Sequence, residues 1–309
     1  MTSLRGSTKQ RSMQSRESLR CRREDRRAVV FAGQRTLTTE VSNAFGCSSA
    51  SVTRWKSACF TTAEPPKTRR DEPNRLVQFL QKIGPNGSWL VNPYWKCYHS
   101  CVYCVAHNQG NTRVWSAPQT VLSTLRRQLR DVPLEESLLL GACADPYPPI
   151  EEHLGLTRTI LMELRRQKRP LGYVGTKSGL ICRDIDVLRD FGAQCSIHIS
   201  LCSLDDRMLR RLEPGAPAAA DRLDAMQRLS QAGLTVVYDC IPWTPTMSDA
   251  EAAWAARPPG VRMLFSKLDV KHVLDPSVLK RNYTQREIDR LYAQAHRRFG
   301  DRELVEWEQ

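Results

Sequence analysis

Three cysteines in one short loop are the residues of this chain best suited to chemistry. Cys97, Cys101 and Cys104 have the spacing Cys-x3-Cys-x2-Cys and follow a short apolar run, within the segment NPYWKCYHSCVYC. Soft thiolate ligands favour iron-sulfur clusters, and one tight loop can bring three thiolates to three irons of a [4Fe-4S] cube. The fourth iron would have no ligand from this segment, which predicts an open coordination site and hence catalysis.

A zinc site is the alternative for the same loop. His99 and His107 could complete the coordination of zinc with the cysteines. Structural zinc sites, however, usually take four ligands as two separated pairs, which this uneven triplet does not provide. This alternative leads to another class of protein, a non-enzymatic, zinc-dependent protein that binds nucleic acid through its basic residues.

The elements that must position the loop follow a βα pattern. After residue 75, short apolar runs alternate with amphipathic runs, as in a parallel sheet or barrel. The predicted strands are Ser88 to Asn92, Leu138 to Ala142, Leu171 to Thr176, Ser196 to Leu201, Thr235 to Ile241 and Val261 to Leu268. The predicted helices cover Pro118 to Leu129, Gly155 to Gln167, Ile185 to Phe191, Arg222 to Ala232 and Thr284 to Phe299. Ligands gather at the carboxyl ends of such strands, where the cysteine loop also lies.

The cysteine spacing, with Tyr103 just before the last cysteine, resembles the radical S-adenosylmethionine (radical SAM) superfamily. The wider segment NPYWKCYHSCVYC resembles the branch that includes spore photoproduct lyase. The resemblance covers about residues 85–245 and implies a partial (β/α)6 barrel, a [4Fe-4S] cluster on the three cysteines, and SAM as cofactor. It implies an enzyme that cleaves SAM reductively and forms a 5'-deoxyadenosyl radical, which abstracts hydrogen from a substrate. A DNA photolesion, a small molecule and a peptide all stay open as that substrate.

The same resemblance implies which residues hold SAM. Asp145 lies in the run ADPYPPIE after the second predicted strand, near the motif that holds the SAM amino group. Lys177 lies in TKS after the third strand and would reach the carboxylate or ribose side. Ser200 ends the run SIHIS, which is followed by RRLEP, and would contact the ribose. Tyr103 would pack near the adenine.

Three further cysteines fall at the ends of predicted strands. Cys143, Cys202 and Cys240 lie at the ends of strands two, four and five, on the side of the cluster loop. The resemblance implies a cysteine that donates a hydrogen atom to a substrate radical, and Cys143 is nearest to that position. The alternative for all three is a small, buried apolar side chain.

Positive charge is concentrated near the N-terminus. Residues 1–70 contain 15 of the 46 basic residues but 5 of the 33 acidic ones, so they carry +10 of the net charge of +13. Residues 1–74 are therefore expected to be a basic, largely disordered leader with a Pro-rich linker, and residues 75–309 the barrel domain with its C-terminal helix. Within the leader, residues 37–56 resemble the two helices of a helix-turn-helix, which would give weak contact with nucleic acid. A partly ordered leader is the alternative.

Composition limits the location of the chain. No run of eighteen apolar residues occurs, and the start lacks the apolar core of a secretory signal. Eleven cysteines without such a signal favour a reducing compartment, so we expect a cytoplasmic protein with no membrane segment. The resemblance adds one partner, an external electron donor such as flavodoxin or ferredoxin.

Overall fold

The computed structural model of the chain describes residues 80–83, 88–94, 97–104, 118–244, 249–270, 273, 283–299 and 302–307. The predicted leader and linker at 1–74, with the helix-turn-helix resemblance at 37–56, lie outside these residues. His107, one of the two histidines considered for zinc, lies outside them as well.

One sheet of eight strands, which follow each other in chain order, forms the centre of the fold. The strands are β1 Leu80–Ile83, β2 Ser88–Val91, β3 Leu138–Leu140, β4 Leu171–Thr176, β5 Ser196–Ser200, β6 Thr235–Trp243, β7 Arg262–Lys267 and β8 Val305–Trp307. β1 is antiparallel to β2, and every later neighbour pairs in parallel. Within the part of the chain that the structure describes, β1 and β8 are the edges, so the sheet is an open, partial barrel.

Eight α-helices accompany these strands in the described ranges. They are α1 Pro118–Gln128, α2 Glu151–Leu154, α3 Leu156–Arg166, α4 Ile185–Leu188, α5 Asp206–Leu212, α6 Ala219–Gln231, α7 Ala250–Ala256 and α8 Gln285–Phe299. Three 3-10 helices are also present among the described residues. Leu129–Asp131 follows α1, and Gly179–Asp184 and Arg189–Gln194 lie directly before and after α4. No helix among the described residues has both the length and the apolar character needed to cross a bilayer.

The two faces of the sheet differ, as alternation along each strand requires. On β3, Leu138 and Leu140 belong to the large core between the sheet and the helices, whereas Leu139 packs with Leu90 on the opposite, inner face. The helices present apolar stripes to the large core. On α3 this stripe is Leu156, Ile160, Leu161 and Leu164, as the sequence period predicts.

The six predicted strands and five predicted helices are confirmed, with small differences at their ends. β4 has the predicted bounds, and α3 starts one residue later than predicted because Gly155, with φ 59°, ends α2 in the left-handed region. The sequence did not predict β1, β8, α2, α5 or α7. These elements are short, so each offers too few residues to show a period.

Candidate active site

The three cysteines of the loop after β2 line one cavity of about 170 Å³ at the carboxyl edge of the sheet. Cys101 is buried, Cys97 and Cys104 are half-buried, and all three are free thiols. Burial raises the pKa of Cys97 to about 11, with a further contribution from the charge of Asp145, and burial also raises the pKa of Cys101. The loop therefore presents three thiol groups to one shielded space.

This donor set suits a cluster better than a single ion. Among the described residues, no three Cys, His, Asp or Glu side chains converge closely enough to hold one metal ion. A cluster does not need that convergence, because each thiolate binds a different iron. His99, considered above for zinc, faces other partners: its Nε2 lies 2.7 Å from an Asp145 carboxylate oxygen and its Nδ1 lies 3.2 Å from the Gly215 carbonyl oxygen.

Asp145 joins the cysteine loop to the ends of β3 and β4. Its Oδ2 accepts hydrogen bonds from the Lys177 amide and from His99, both at 2.7 Å. Its Oδ1 accepts from the Thr176 hydroxyl at 2.7 Å and from the Tyr147 amide at 2.8 Å. Burial works against the charge, but these donors hold the pKa of Asp145 below its usual value. Both oxygens of this buried carboxylate are thus occupied by donors of the protein.

Lys177 lines the cavity from the end of β4, and its ammonium faces a buried carboxylate. Its Nζ lies 3.1 Å from Oε1 of Glu213, which also accepts a hydrogen bond from the Tyr103 hydroxyl. Burial disfavours both charges, yet Glu213 raises the pKa of Lys177, and Lys177 and Arg222 hold the pKa of Glu213 at about 2. Both groups are therefore ionised at neutral pH.

Ser200 lines the same cavity from the end of β5. Its carbonyl oxygen accepts a hydrogen bond of 2.9 Å from Nη1 of Arg222, a fully buried side chain on α6. Nη2 of Arg222 lies 2.6 Å from Oε2 of Glu213. The position of Ser200 is thus fixed by the same ion pairs that hold Lys177.

Of the three additional cysteines, only Cys143 is among the residues that line the cavity in the described structure. It is half-buried and, like Tyr173, which also lines the cavity, packs against the cluster of Leu90 and Leu139. Cys202 is fully buried with its Sγ 3.5 Å from Oε1 of Glu213, and Cys240 is fully buried in the core. A substrate in the cavity would therefore be within reach of Cys143 alone among these three.

Two other polar residues near the site, Glu151 and His198, have structural partners. Glu151, fully buried, accepts from the Tyr94 hydroxyl and the Thr157 amide and pairs with Arg183 at 2.6 Å. His198 lies between the Asp239 carboxylate, at 2.9 Å, and the Ser196 hydroxyl, at 3.1 Å, as expected for a satisfied buried histidine. Tyr147 of the ADPYPPIE run is a core side chain, 1% exposed.

Sequence reasoning placed Tyr103, Asp145, Lys177 and Ser200 near the cysteines, and all four line the cavity with them. It assigned no role to Glu213 of the RRLEP run, which the structure pairs with Lys177 and Arg222. Arg222 was missed because it lies on a helix 9 residues further along the chain.

Tyr173 was also missed. Strand alternation places Tyr173, Gly175 and Lys177 on one face, which is a signal that the sequence contains. Gly175 leaves room for the tyrosine, since a Cβ there would lie 2.3 Å from the Tyr173 hydroxyl oxygen.

The fold and the site together define a class: an open α/β barrel with a three-cysteine loop facing a cavity at the carboxyl edge. A family model of the radical SAM superfamily matches residues 91–257, more than half of the chain. The chain therefore belongs to the radical SAM superfamily and is an enzyme. Membership implies SAM and an iron-sulfur cluster, and it favours an enzyme over the non-enzymatic alternative.

Relatives with similar sequences are described as uncharacterised proteins. One, from Methanocaldococcus jannaschii, is 26% identical over 173 residues, which cover 54% of this chain and 64% of the relative. Another, from Mycobacterium tuberculosis, is 30% identical over 190 residues, which cover 55% of each protein. The chain thus spans between about half and two thirds of the length of these relatives.

Two solved enzyme structures align with parts of this chain at low similarity. A spore photoproduct lyase complexed with a dinucleoside spore photoproduct aligns with a TM-score of 0.40 at 15% identity, over 53% of this chain and 51% of the lyase. SuiB of Streptococcus suis, bound to its precursor peptide SuiA, aligns with a TM-score of 0.47 at 14% identity, over 71% of this chain and 48% of SuiB.

Proposed function

We propose that this radical SAM enzyme holds a [4Fe-4S] cluster on Cys97, Cys101 and Cys104 and binds SAM in the adjoining cavity. The observation that carries the proposal is the cavity itself, which is lined by all three thiols and by residues from the ends of three successive strands. When bound, cluster and SAM supply an electron and a 5'-deoxyadenosyl radical, which abstracts hydrogen from the substrate.

The residues around the cavity have distinct roles in this proposal. Lys177 and Ser200 bind the polar groups of SAM, and Tyr103 packs against its adenine. Asp145 acts through its neighbours, because its carboxylate is already occupied by the Lys177 amide and His99. The surrounding buried side chains keep water away from the reacting atoms.

Cys143 donates a hydrogen atom to the substrate radical in this proposal. Its S–H bond breaks, a C–H bond forms on the substrate, and a thiyl radical stays on sulfur. One electron from an external donor of the flavodoxin or ferredoxin type and one proton restore the thiol. The support is position, since Cys143 is half-buried and lines the cavity, whereas Cys202 and Cys240 are fully buried elsewhere.

The charges at the cavity favour a substrate without many negative charges. Its two lysines are both paired, Lys177 with Glu213 at 3.1 Å and Lys267 with Asp289 at 3.0 Å. Duplex DNA is bound mainly by cations that replace its counterions, so paired lysines contribute little to binding it. We therefore favour a peptide or small molecule, and the net charge of +10 on residues 1–70 supports a DNA photolesion as the second candidate.

Reductive cleavage of SAM tests the proposal. The full chain, reconstituted anaerobically and given dithionite, should form 5'-deoxyadenosine, and Cys101→Ala should not. Peptides, small molecules and photolesion-containing DNA are then compared in deuterated form, and the true substrate transfers deuterium to 5'-deoxyadenosine. A wild-type chain that takes up iron and sulfide but never cleaves SAM would contradict the proposal.

A further inference from the structure

Glu213, which directly follows α5, is a buried carboxylate in contact with the cysteine loop. It is 1% exposed. Its Oε1 accepts from the Tyr103 hydroxyl, between the second and third cysteines, and lies 3.1 Å from Nζ of Lys177. Its Oε2 lies 2.6 Å from Nη2 of Arg222. One carboxylate thus connects the loop, the end of β4 and helix α6.

The backbone around Glu213 holds the same loop. The Val102 amide donates to the Leu212 carbonyl oxygen at 2.9 Å, and the Gly215 amide donates to the His99 carbonyl oxygen at 3.0 Å. A Cβ at Gly215 would lie 2.1 Å from the Tyr98 carbonyl oxygen, so only glycine permits this approach. The turn 212–215 therefore packs closely against the cysteine loop and holds it through backbone hydrogen bonds.

The charges of Glu213 and its two cationic partners do not cancel. Lys177 and Arg222 are cations and Glu213 is one anion, so the three side chains together carry a charge of +1 in a buried place. A buried charge acts strongly on nearby charges because little water screens it. Three thiolates in the adjacent loop make a bound cluster negative, and nearby positive charge favours its reduced form.

We propose that Glu213 is a positioning residue that anchors the cysteine loop and, with Lys177 and Arg222, sets the reduction potential of the bound cluster. The inference rests on the proposed function, since it needs a cluster on Cys97, Cys101 and Cys104. Glu213 itself touches Tyr103 and the two cations, and it acts on the cluster through the field of the ion pairs and the position of the loop.

The number of charges near the cluster predicts the sign of the shift in its reduction potential in each variant. A general loosening of the cysteine loop would not produce the same signs. Glu213→Gln leaves two cations, which raises the network charge by one. Lys177→Met lowers it by one, and the double variant returns it to that of the wild type. The potential should therefore shift to more positive values in Glu213→Gln and to more negative values in Lys177→Met, and stay near wild type in the double variant. General loosening would move both single variants in the same direction.

The test compares these four full-length proteins after anaerobic reconstitution. Iron and sulfide per chain are measured first, and then the midpoint potential is measured without SAM by a redox titration followed by electron paramagnetic resonance. A more positive potential in Glu213→Gln together with a more negative potential in Lys177→Met supports the proposal. Shifts of one sign, no shift, or a double variant as far from wild type as Lys177→Met overturn it. If Glu213→Gln does not fold, the proposal is tested by comparing the midpoint potential of the double variant with that of Lys177→Met. The double variant should have the more positive potential of the two.

The result also separates the two proposals. A wild-type chain without iron and sulfide refutes the proposed function, and the role of Glu213 falls with it. A wild-type chain with a cluster, together with variants that keep the wild-type potential, refutes the role of Glu213 alone.

Discussion

Asp145→Asn tests whether one carboxylate holds the cysteine loop against the ends of β3 and β4. Asparagine keeps one oxygen, which can still accept from the Tyr147 amide and the Thr176 hydroxyl. Its NH2 group replaces Oδ2, which accepts from the Lys177 amide and lies 2.7 Å from Nε2 of His99. The NH2 group cannot accept from the Lys177 amide, so two hydrogen-bond donors, the NH2 group and the Lys177 N–H, would face each other.

The size of the effect follows from these contacts. A hydrogen bond to a charged group contributes about 1.5–3 kcal/mol, and the buried Lys177 amide loses this bond. Because that amide is then left without an acceptor, the upper end applies, and we expect about 3 kcal/mol. This is a large share of the roughly 5–15 kcal/mol that stabilise a typical domain.

Urea unfolding of the metal-free protein at pH 7, followed by circular dichroism, measures this change in the free energy of unfolding. Asp224→Asn is the matched control, because Asp224 is 64% exposed and pairs with Arg228 at 3.6 Å. It should cost less than about 0.5 kcal/mol. Equal stabilities of the two variants would refute the role assigned to Asp145.

Three further predictions concern the loop, the thiol and a distant carboxylate. Gly215→Ala should lower the iron bound per chain several-fold, since its Cβ meets the Tyr98 carbonyl oxygen at 2.1 Å, whereas Gly179→Ala, with 3.6 Å of room, should load normally. Cys143→Ala should still cleave SAM but should no longer pass solvent deuterium to the product, as mass spectrometry would show; labelled product from this variant would contradict the proposed donor. Glu163 has a pKa below its usual value because its arginine neighbours donate to it, so its contribution to stability is complete above about pH 5 and is lost as pH falls towards its folded pKa. In Glu163→Gln, the free energy of unfolding should therefore fall by about 1 kcal/mol less than in the wild type as the pH is lowered from about 5. An equal fall in both proteins would contradict this.

The sequence predicts the part of the site that is local. Lys177 directly follows β4, Ser200 ends β5, and Asp145 lies in the loop after β3. A βα reading with ligands at strand ends therefore suffices to gather these three residues around the cysteines. The strands themselves are visible because β2 to β7 are apolar runs between amphipathic helices.

What the sequence could not show depends on contacts between distant residues. Glu213 meets Lys177 and Tyr103 across 36 and 110 residues, and no spacing encodes such a pairing. The occupation of both Asp145 oxygens by donors of the protein was equally hidden, because a carboxylate in such a loop looks the same in sequence whether it binds a ligand or a neighbouring loop.

The metal content of the full chain tests the central claim most directly. After anaerobic reconstitution, the wild type should bind about four iron and four sulfide per chain. On reduction it should give an electron paramagnetic resonance signal that changes when SAM is added, and Cys97→Ala, Cys101→Ala and Cys104→Ala should each lose the cluster. Stoichiometric zinc without sulfide, or a cluster that survives in Cys101→Ala, would contradict the account.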